Sequence, residues 1–547
     1  MPGGIMNLIS VGSQNIILNG NPKKTFFKST FNKYTNFGFQ QFRLDYDGQR
    51  VLNYKSESVF KFKVPRYADL LNDVYVVINL PDIWSSIYVN GTDASLNEVL
   101  PYDFKWVEEL GTNMIRDVKI LIGGQVINQY SGEYISMIKE RDFNRTKKNL
   151  FNKMIGNINE IKDPGNSNGN INAYPTAYWY NIGDESDPSI VHKNEEPSIR
   201  GRKLFIPIET WFTQSSKMAF PLVSLQYMEM HIEVTFRPIY ELYMIKDVTS
   251  DISSNRTNYI APNPNNDFHS LYRFTQPPSI PTDLCGNVVT NNVYELKRND
   301  WNADIHLQAT YTFLDEPERN VFAKHEQKYV LRLPHENNFL NVAGSQIVEL
   351  KSRDLVSNYL WRFRRSDCNL RNVWSNYTNY KYKNKDILIP VVYNNQLIYF
   401  STGNESIENR KDILVDLAIV VDGKYRENLL DSGTYNYIEK YNRTSGNAKD
   451  GLYLYNFSVN SNLRDLQPSG AFNTNKYTNV NLEFNTISPP IDLSGVNVNI
   501  ICDNGVPIGV DKDVTQIYQY NYDLKVVEER YNVLVFTGGM AGLQFAR

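Results

Sequence analysis

The chain is made of short runs in which apolar and polar residues alternate, set apart by turn residues, and this pattern leaves few folds open. Ile305-His-Leu-Gln-Ala-Thr-Tyr-Thr-Phe313 alternates throughout and places Ile305, Leu307, Ala309, Tyr311 and Phe313 on one face. Met228 to Phe236 alternates in the same way. A period of two marks a half-buried strand, whereas a helix repeats every 3.6 residues. Val118 to Ile122, Gly123-Gly124 and Gln125 to Tyr130 read as a hairpin around a glycine turn. Ile413 to Val421, then Asp422-Gly423 and a polar strand, read as another. Val74 to Leu80, Lys328 to Leu333 and Tyr531 to Phe536 add further strands. Helical signal is confined to Tyr134 to Lys148 and Glu316 to Lys328, the latter with Pro317 in its first turn. Many short strands without interleaved helices point away from a parallel α/β sheet and toward sandwiches or barrels.

A chain of 547 residues exceeds what one core usually serves. Its 37 Tyr and 27 Phe suit strands with large buried areas, and its many Asn suit the loops between them. A charged segment, 315–327, separates two β-rich portions, 36–314 and 328–536, leaving an arm at 1–35 and a tail at 537–547. Two long polar stretches, about 157–200 and 246–291, read as loops on the outside of the first portion. No sequence repeat relates the two portions.

The search for chemistry yields no catalytic, cofactor-binding or metal-binding residues. The formal charge of −3 lacks the basic excess of a broad nucleic-acid binder, so no direct nucleic-acid contact is expected. Arg362, Arg364 and Arg365 read as a solvated strand face. Cys285, Cys368 and Cys502 are too scattered for a zinc site or a disulfide framework, which suits assembly in a reducing compartment. His192, His231, His269, His306, His325 and His335 form no ligand pattern, and His231 and His306 fall in the polar phase of their strands. Glu108-Glu109, Glu195-Glu196 and Glu528-Glu529 are adjacent and would point to opposite faces of a strand. Asp45-Tyr46-Asp47-Gly48 lacks the closing ligands of a calcium loop. Gly538-Gly539-Met540-Ala541-Gly542 reads as a flexible tail. Ile413 to Val421, interrupted by Asp416, is too short for a membrane span, and the Met-Pro-Gly-Gly start is no secretory signal. Seven N-x-[ST] sequons, at Asn90, Asn144, Asn255, Asn376, Asn404, Asn442 and Asn456, are candidate glycosylation sites, with Asn255 foremost because it lies in a long loop.

Several segments resemble the major capsid proteins of nucleocytoplasmic large DNA viruses. They run in order: Gly3 to Asn15, Leu18-Asn-Gly-Asn-Pro22, Thr25-Phe-Phe-Lys28 and Tyr34-Thr-Asn-Phe37; Val64 to Leu71 and Ile78-Asn-Leu-Pro81; Trp106-Val107, Gly111, Ile122-Gly-Gly-Gln125 and Gly132-Glu133; Phe220 to Tyr227; Phe313 to Arg319 with Phe322-Ala323; Tyr455-Asn-Phe-Ser458 and Leu466 to Gly470; Asn532 to Phe536 and Gly539 to Leu543. Two departures mark a divergent branch: Ala471-Phe-Asn-Thr474, and Pro317 after the Asp-Glu pair. The resemblance implies an all-β fold of two consecutive jelly rolls with long loop insertions and few short helices. It also implies a structural, non-enzymatic coat protein without cofactors. Its partners would be itself, as a homotrimeric pseudo-hexagonal capsomer with capsomer–capsomer contacts, together with minor capsid and penton proteins and inner viral membrane proteins. Its place would be the shell of an icosahedral virion assembled in the host cytoplasm, with the arm beneath the capsomer and the long loops projecting as towers. Two other readings remain open at this point. One is a transient double jelly-roll scaffold for viral membrane assembly. The other is a carbohydrate-binding or carbohydrate-cleaving β-sandwich, which would need a cleft with paired carboxylates.

Overall fold

A computed structural model of the chain describes residues 2–90, 98–101, 103–175, 197–246, 259–277, 294, 296–379, 388–401, 411–446, 449–489, 498–512 and 520–545. Asn255, Asn404, Cys285, His192, the Glu195-Glu196 pair and much of both long loops lie outside these residues.

The alternating segments form two jelly rolls of the same strand order. In the first, β1 (Phe37–Asp45), β2 (Ser58–Lys63), β3 (Leu70–Asn79), β4 (Ile115–Ile122), β5 (Gln125–Tyr130), β6 (Lys203–Pro207), β7 (Met230–Phe236) and β8 (His306–Leu314) divide into two sheets. Their orders are β1-β8-β3-β6 and β2-β7-β4-β5. In the second, the strands are β9 (Gln327–Val342), β10 (Ser345–Leu350), β11 (Leu355–Arg365), β12 (Leu414–Val421), β13 (Lys424–Asp431), β14 (Leu452–Asn456), β15 (Val480–Thr486) and β16 (Tyr522–Thr537). They repeat the arrangement as β9-β16-β11-β14 and β10-β15-β12-β13. The two halves thus share one topology that their sequences do not display.

Local chemistry explains the hairpins. Gly123 and Gly124 both have positive φ, as do Asp422 and Gly423, and two such residues make the tight turn whose twist suits antiparallel strands. The inward faces fill the two cores. Phe60, Phe62, Ile232, Val234 and Phe236 meet Val74, Val76, Ile78, Leu307 and Ala309 in the first. In the second, Trp361 is stacked with Tyr453 at 6.0 Å and meets Tyr435 edge-on at 5.2 Å, among Leu417, Ile419, Leu482, Phe484, Leu524 and Val526. Each such fully buried side chain contributes roughly 1.5–3 kcal/mol relative to exposure.

Several expectations need correcting. Phe313 is exposed while Leu314 is buried, because helix α5 (Glu316–Lys324) covers the outer end of β8 and seats Phe322 against Leu70, Ala219 and Leu314. His306 is buried, with Nδ1 2.7 Å from the Asp304 carbonyl; burial lowers its pKa. The helix expected from Tyr134 to Lys148 is two: α3 (Gly132–Asp142) and α4 (Arg145–Met154). The chain turns at Asn144, whose side chain caps α4 by accepting from the Lys147 N–H at 3.0 Å. Within the second long stretch, the described part packs inward, with Leu271 and Phe274 in the first core, so it is no projecting loop. The glycine-rich tail is ordered: it turns at Gly538-Gly539 and returns as Met540–Leu543, paired with β16. There the Gly539 carbonyl accepts from the Gln226 and Tyr227 N–H groups of the other half.

The arm carries α1 (Gly3–Ile9) and α2 (Asn15–Asn19), and every described residue from 2 to 36 is exposed.

Candidate functional site at the junction of the two sandwiches

The chemistry of this chain is concentrated where the halves meet. Sheet β9-β16-β11-β14 has an outer face that an isolated sandwich would leave in water. Here α3, from the connection between β5 and β6, lies across it. Ser131 caps α3 and donates both its N–H and its hydroxyl to Glu336 of β9, at 2.9 and 2.8 Å. Within the first turn, Glu133 takes a bidentate contact from Arg362 of β11 at 2.6 and 3.0 Å, with Lys525 of β16 at 3.0 Å and Arg364 at 3.5 Å. Burial alone would raise the Glu133 carboxyl. The charges of Arg362, Lys525 and Arg364 outweigh it and hold the group well below the ordinary carboxylate range.

At the other end of α3, Arg141 reaches Glu529 of β16 at 2.9 Å, and both side chains are essentially inaccessible. Glu529 also accepts from the Tyr134 hydroxyl at 2.9 Å and from Asn358 of β11 at 2.7 Å. The last carbonyls of α3 are met from the second half, by Gly446 N–H on Arg141 at 2.8 Å and the Ser445 hydroxyl on Asp142 at 2.8 Å. A third cluster surrounds Glu109, which pairs with Lys449 at 3.0 Å and accepts from Ser136 and Ser375. Burial again raises this carboxyl, and Lys449 with the hydroxyl donors brings it below its ordinary value. Trp374 closes the seam: its indole donates to the Glu241 carbonyl at 2.8 Å and Arg237 lies over its ring at 4.6 Å. On the opposite flank Arg319 of α5 pairs with Asp69 at 2.8 Å. The first core runs through this seam, taking in Leu360, Leu452, Val527 and Phe536.

Arg362 and Arg365 are therefore buried and Arg364 nearly so, not a solvated face. Alternation along β11 places Arg362 and Arg364 outward correctly, but α3 covers that side. Arg365 falls in phase with Trp361 and Phe363 and is buried against the Tyr520 ring and Asp367. Glu528 and Glu529 do face opposite ways: Glu528 binds Arg530, Ser352 and Asn337, while Glu529 binds the junction. Sequence reasoning missed the junction because its charges sit 229 residues apart, as in Glu133 and Arg362. The available signal was an uncommon one: charged residues in the middle of otherwise apolar strands.

A cleft of about 660 Å³ opens along the same seam, lined by Lys105, Arg364, Arg371 and Tyr377 among others. Its carboxylates are each engaged by a cation: Glu108 by Lys162, Asp367 by Arg365 and Asp450 by Lys411. They do not form the free pair a glycosidase needs. Among the described residues, no three His, Cys, Asp or Glu side chains gather as a metal site. Of the described sequons, Asn144 and Asn442 are exposed. Asn376 is half-buried and accepts from Thr378, Asn456 closes β14 against β11 with its amide on Glu439, and Asn90 ends the short strand Ile87–Asn90.

Comparison with known proteins decides what this geometry belongs to. A family model described as the N-terminus of the major capsid protein matches residues 25–272. A second, described as the large eukaryotic DNA virus major capsid protein, matches residues 318–542. The chain belongs to the major capsid protein family of the large eukaryotic DNA viruses. Among relatives, it is 23% identical to probable capsid protein 4 of Acanthamoeba polyphaga mimivirus, over 91% of this chain and 94% of that protein. It is likewise 23% identical to the major capsid protein of Paramecium bursaria Chlorella virus 1, over the whole of both. The Faustovirus major capsid protein superposes with a TM-score of 0.61 at 12% identity, covering 98% of this chain and 96% of that one. A chain of the PBCV-1 virus capsid quasi-atomic model gives 0.58 at 16% identity, covering 96% and 100%. As a member of this capsid family the chain is a structural component of the virion, not an enzyme.

For such a coat protein the seam is a working part, and its tightest point is testable. A Cβ on Gly446 would lie 2.3 Å from the Glu140 carbonyl and 2.5 Å from that of Arg141. Gly446→Ala is expected to lower stability by about 1–3 kcal/mol, as overpacking does. Gly542→Ala, where nothing lies within 4 Å, should leave the urea midpoint unchanged.

Proposed function

We propose that this capsid protein self-associates as a trimer whose six jelly rolls form a pseudo-hexagonal capsomer, and that such capsomers tile an icosahedral shell. One observation carries the reading: two sandwiches of identical strand order are locked side by side through a buried ionic seam. A rigid pair of like units is what lets threefold symmetry approximate sixfold. A closed ring of three uses heterologous contacts, each patch meeting a different one. Many modest contacts between capsomers then act together as a multivalent shell. Assembly takes place in the host cytoplasm, and minor capsid and penton proteins fill the remaining contacts. Any glycan on the coat is attached at Asn255 or at the exposed Asn144 and Asn442.

Light scattering on the purified chain tests this. The expected mass is three times 63.3 kDa, about 190 kDa, and it persists on dilution to nanomolar concentration. A monomer that stays folded and monomeric at micromolar concentration would sink the capsomer reading.

A further inference from the structure

We propose that the arm is a membrane-surface anchor: it docks directly on an anionic lipid bilayer through exposed aromatic and aliphatic side chains framed by lysines. This goes beyond self-association and involves a different part of the molecule. The first observation is exposure. Ile5, Leu8 and Ile9 of α1, Ile17 and Leu18 of α2, and Phe26, Phe27 and Phe31 beyond them all face solvent, with Leu18 at 91% and Phe27 at 98%. Soluble chains seldom leave so many large apolar groups together without a partner. No described arm residue belongs to either core, and its ring contact with the body is Tyr34 beside Phe37 at 6.3 Å, at the start of β1.

The second observation is charge. Residues 2–36 contain Lys23, Lys24, Lys28 and Lys33 and not one Asp or Glu. The whole chain carries −3, so everything outside the arm carries −7. The third is how the two kinds of residue interleave. In Lys23-Lys-Thr-Phe-Phe-Lys28 the aromatics are bracketed by ammonium groups, and the Lys24 ammonium already lies 5.2 Å from the Phe26 ring. At the boundary between headgroups and acyl chains, aromatic rings sit in the interface while lysine stems reach out to phosphate and carboxylate groups. A protein groove would demand a fixed complementary shape, and residues 20–36 have no regular structure to present one. No described helix is long and apolar enough to cross a membrane, so the contact is interfacial. Residues 2–24 also precede the part of the chain matched by the family model.

The test is flotation of the full-length protein with vesicles of phosphatidylserine and phosphatidylcholine, against phosphatidylcholine alone, at low and high salt. Binding to the anionic vesicles is expected, weakened by salt. Four lysines near an anionic surface together account for roughly a hundredfold or more in partitioning. Charge reversal of all four (Lys23→Glu, Lys24→Glu, Lys28→Glu, Lys33→Glu) should therefore abolish flotation. Phe26→Ser, Phe27→Ser and Phe31→Ser combined should weaken it at least tenfold. Since these side chains support no core, both variants should keep the wild-type thermal midpoint and the wild-type mass in solution. Wild-type protein that fails to float, or a lysine variant that floats equally well, overturns the proposal. So does an arm variant that changes the mass without wild-type flotation, which would assign the arm to a second copy of the chain. The mass of the wild-type particle is read separately, so failure here leaves the trimer intact.

Discussion

Glu133→Gln is expected to destabilise the protein by about 3–5 kcal/mol, although it removes only one charge and almost no volume. Three cations converge on this carboxylate from the opposing sheet, and all are shielded from water. Removing a single partner from a buried ion pair leaves the rest desolvated and uncompensated, which is why the cost exceeds that of an ordinary hydrogen bond. The control is Glu229→Gln. Glu229 pairs with Lys63 at 2.6 Å, as close as the Glu133–Arg362 contact, but both partners are more than half exposed. Water and salt screen that pair, so no shift of the urea midpoint is expected. Equal loss from the two substitutions would mean that burial at the seam does not govern its strength.

The same carboxylate sets a pH dependence. Its folded-state pKa is depressed, so its stabilisation is complete above the unfolded value of about 4.3 and is lost as pH falls through the folded one. Glu109 and Glu529 are shifted the same way. Glu528 is shifted upward by burial, which outweighs Arg530 and its hydrogen-bond donors, and opposes them. Buried His306, whose pKa is lowered, begins to cost stability as pH falls below about 6.5, where the unfolded chain takes up a proton that the folded one does not. The larger fall comes below about pH 4.5, more gently in Glu133→Gln than in the wild type.

How far the sequence discloses this molecule follows from which interactions are local. The β4–β5 and β12–β13 hairpins are legible because their turns need residues with positive φ and their strands alternate. The register of β8 is legible through Tyr311 and fails at Phe313, where the helix that follows directly, α5, folds back over the other face with Phe322 on Leu314. The two sixteen-residue strands β9 and β16 are seen only in part. Only Lys328 to Leu333 and Tyr531 to Phe536 stand out as apolar runs; the polar stretches Pro334-His-Glu-Asn-Asn338 and Glu528-Glu-Arg530 continue the strands because they pair with each other and find partners on other elements. The shared topology of the halves is invisible because a jelly roll constrains the order and burial pattern of strands, not the identity of residues. The junction is the least legible part. Each of its charges looks like surface in its own strand, and only the placement of α3 turns a solvated face into an interior.

Arg141 and Glu529 show what such an interior is for. Arg141→Met or Glu529→Met alone should cost about 3–5 kcal/mol, since either leaves the other charge buried and unpaired. The double substitution should cost clearly less than the sum, with a coupling of about 2–3 kcal/mol by double-mutant cycle. It will not be neutral, because Tyr134 and Asn358 lose their acceptor on Glu529 and each unsatisfied donor costs about 1–3 kcal/mol. An apolar seam of similar volume could hold two sandwiches together, but apolar contact has no direction, whereas Arg141 accepts only one placement against Glu529 and Asp142. If the pair serves orientation, the double variant should fold cooperatively yet lose the mass of the proposed trimer on dilution, because the six units of that proposed ring would no longer sit at matching angles. If it serves stability alone, the double variant will assemble as the wild type does at any concentration where it is folded. Light scattering across a dilution series, read beside the urea midpoint, separates the two.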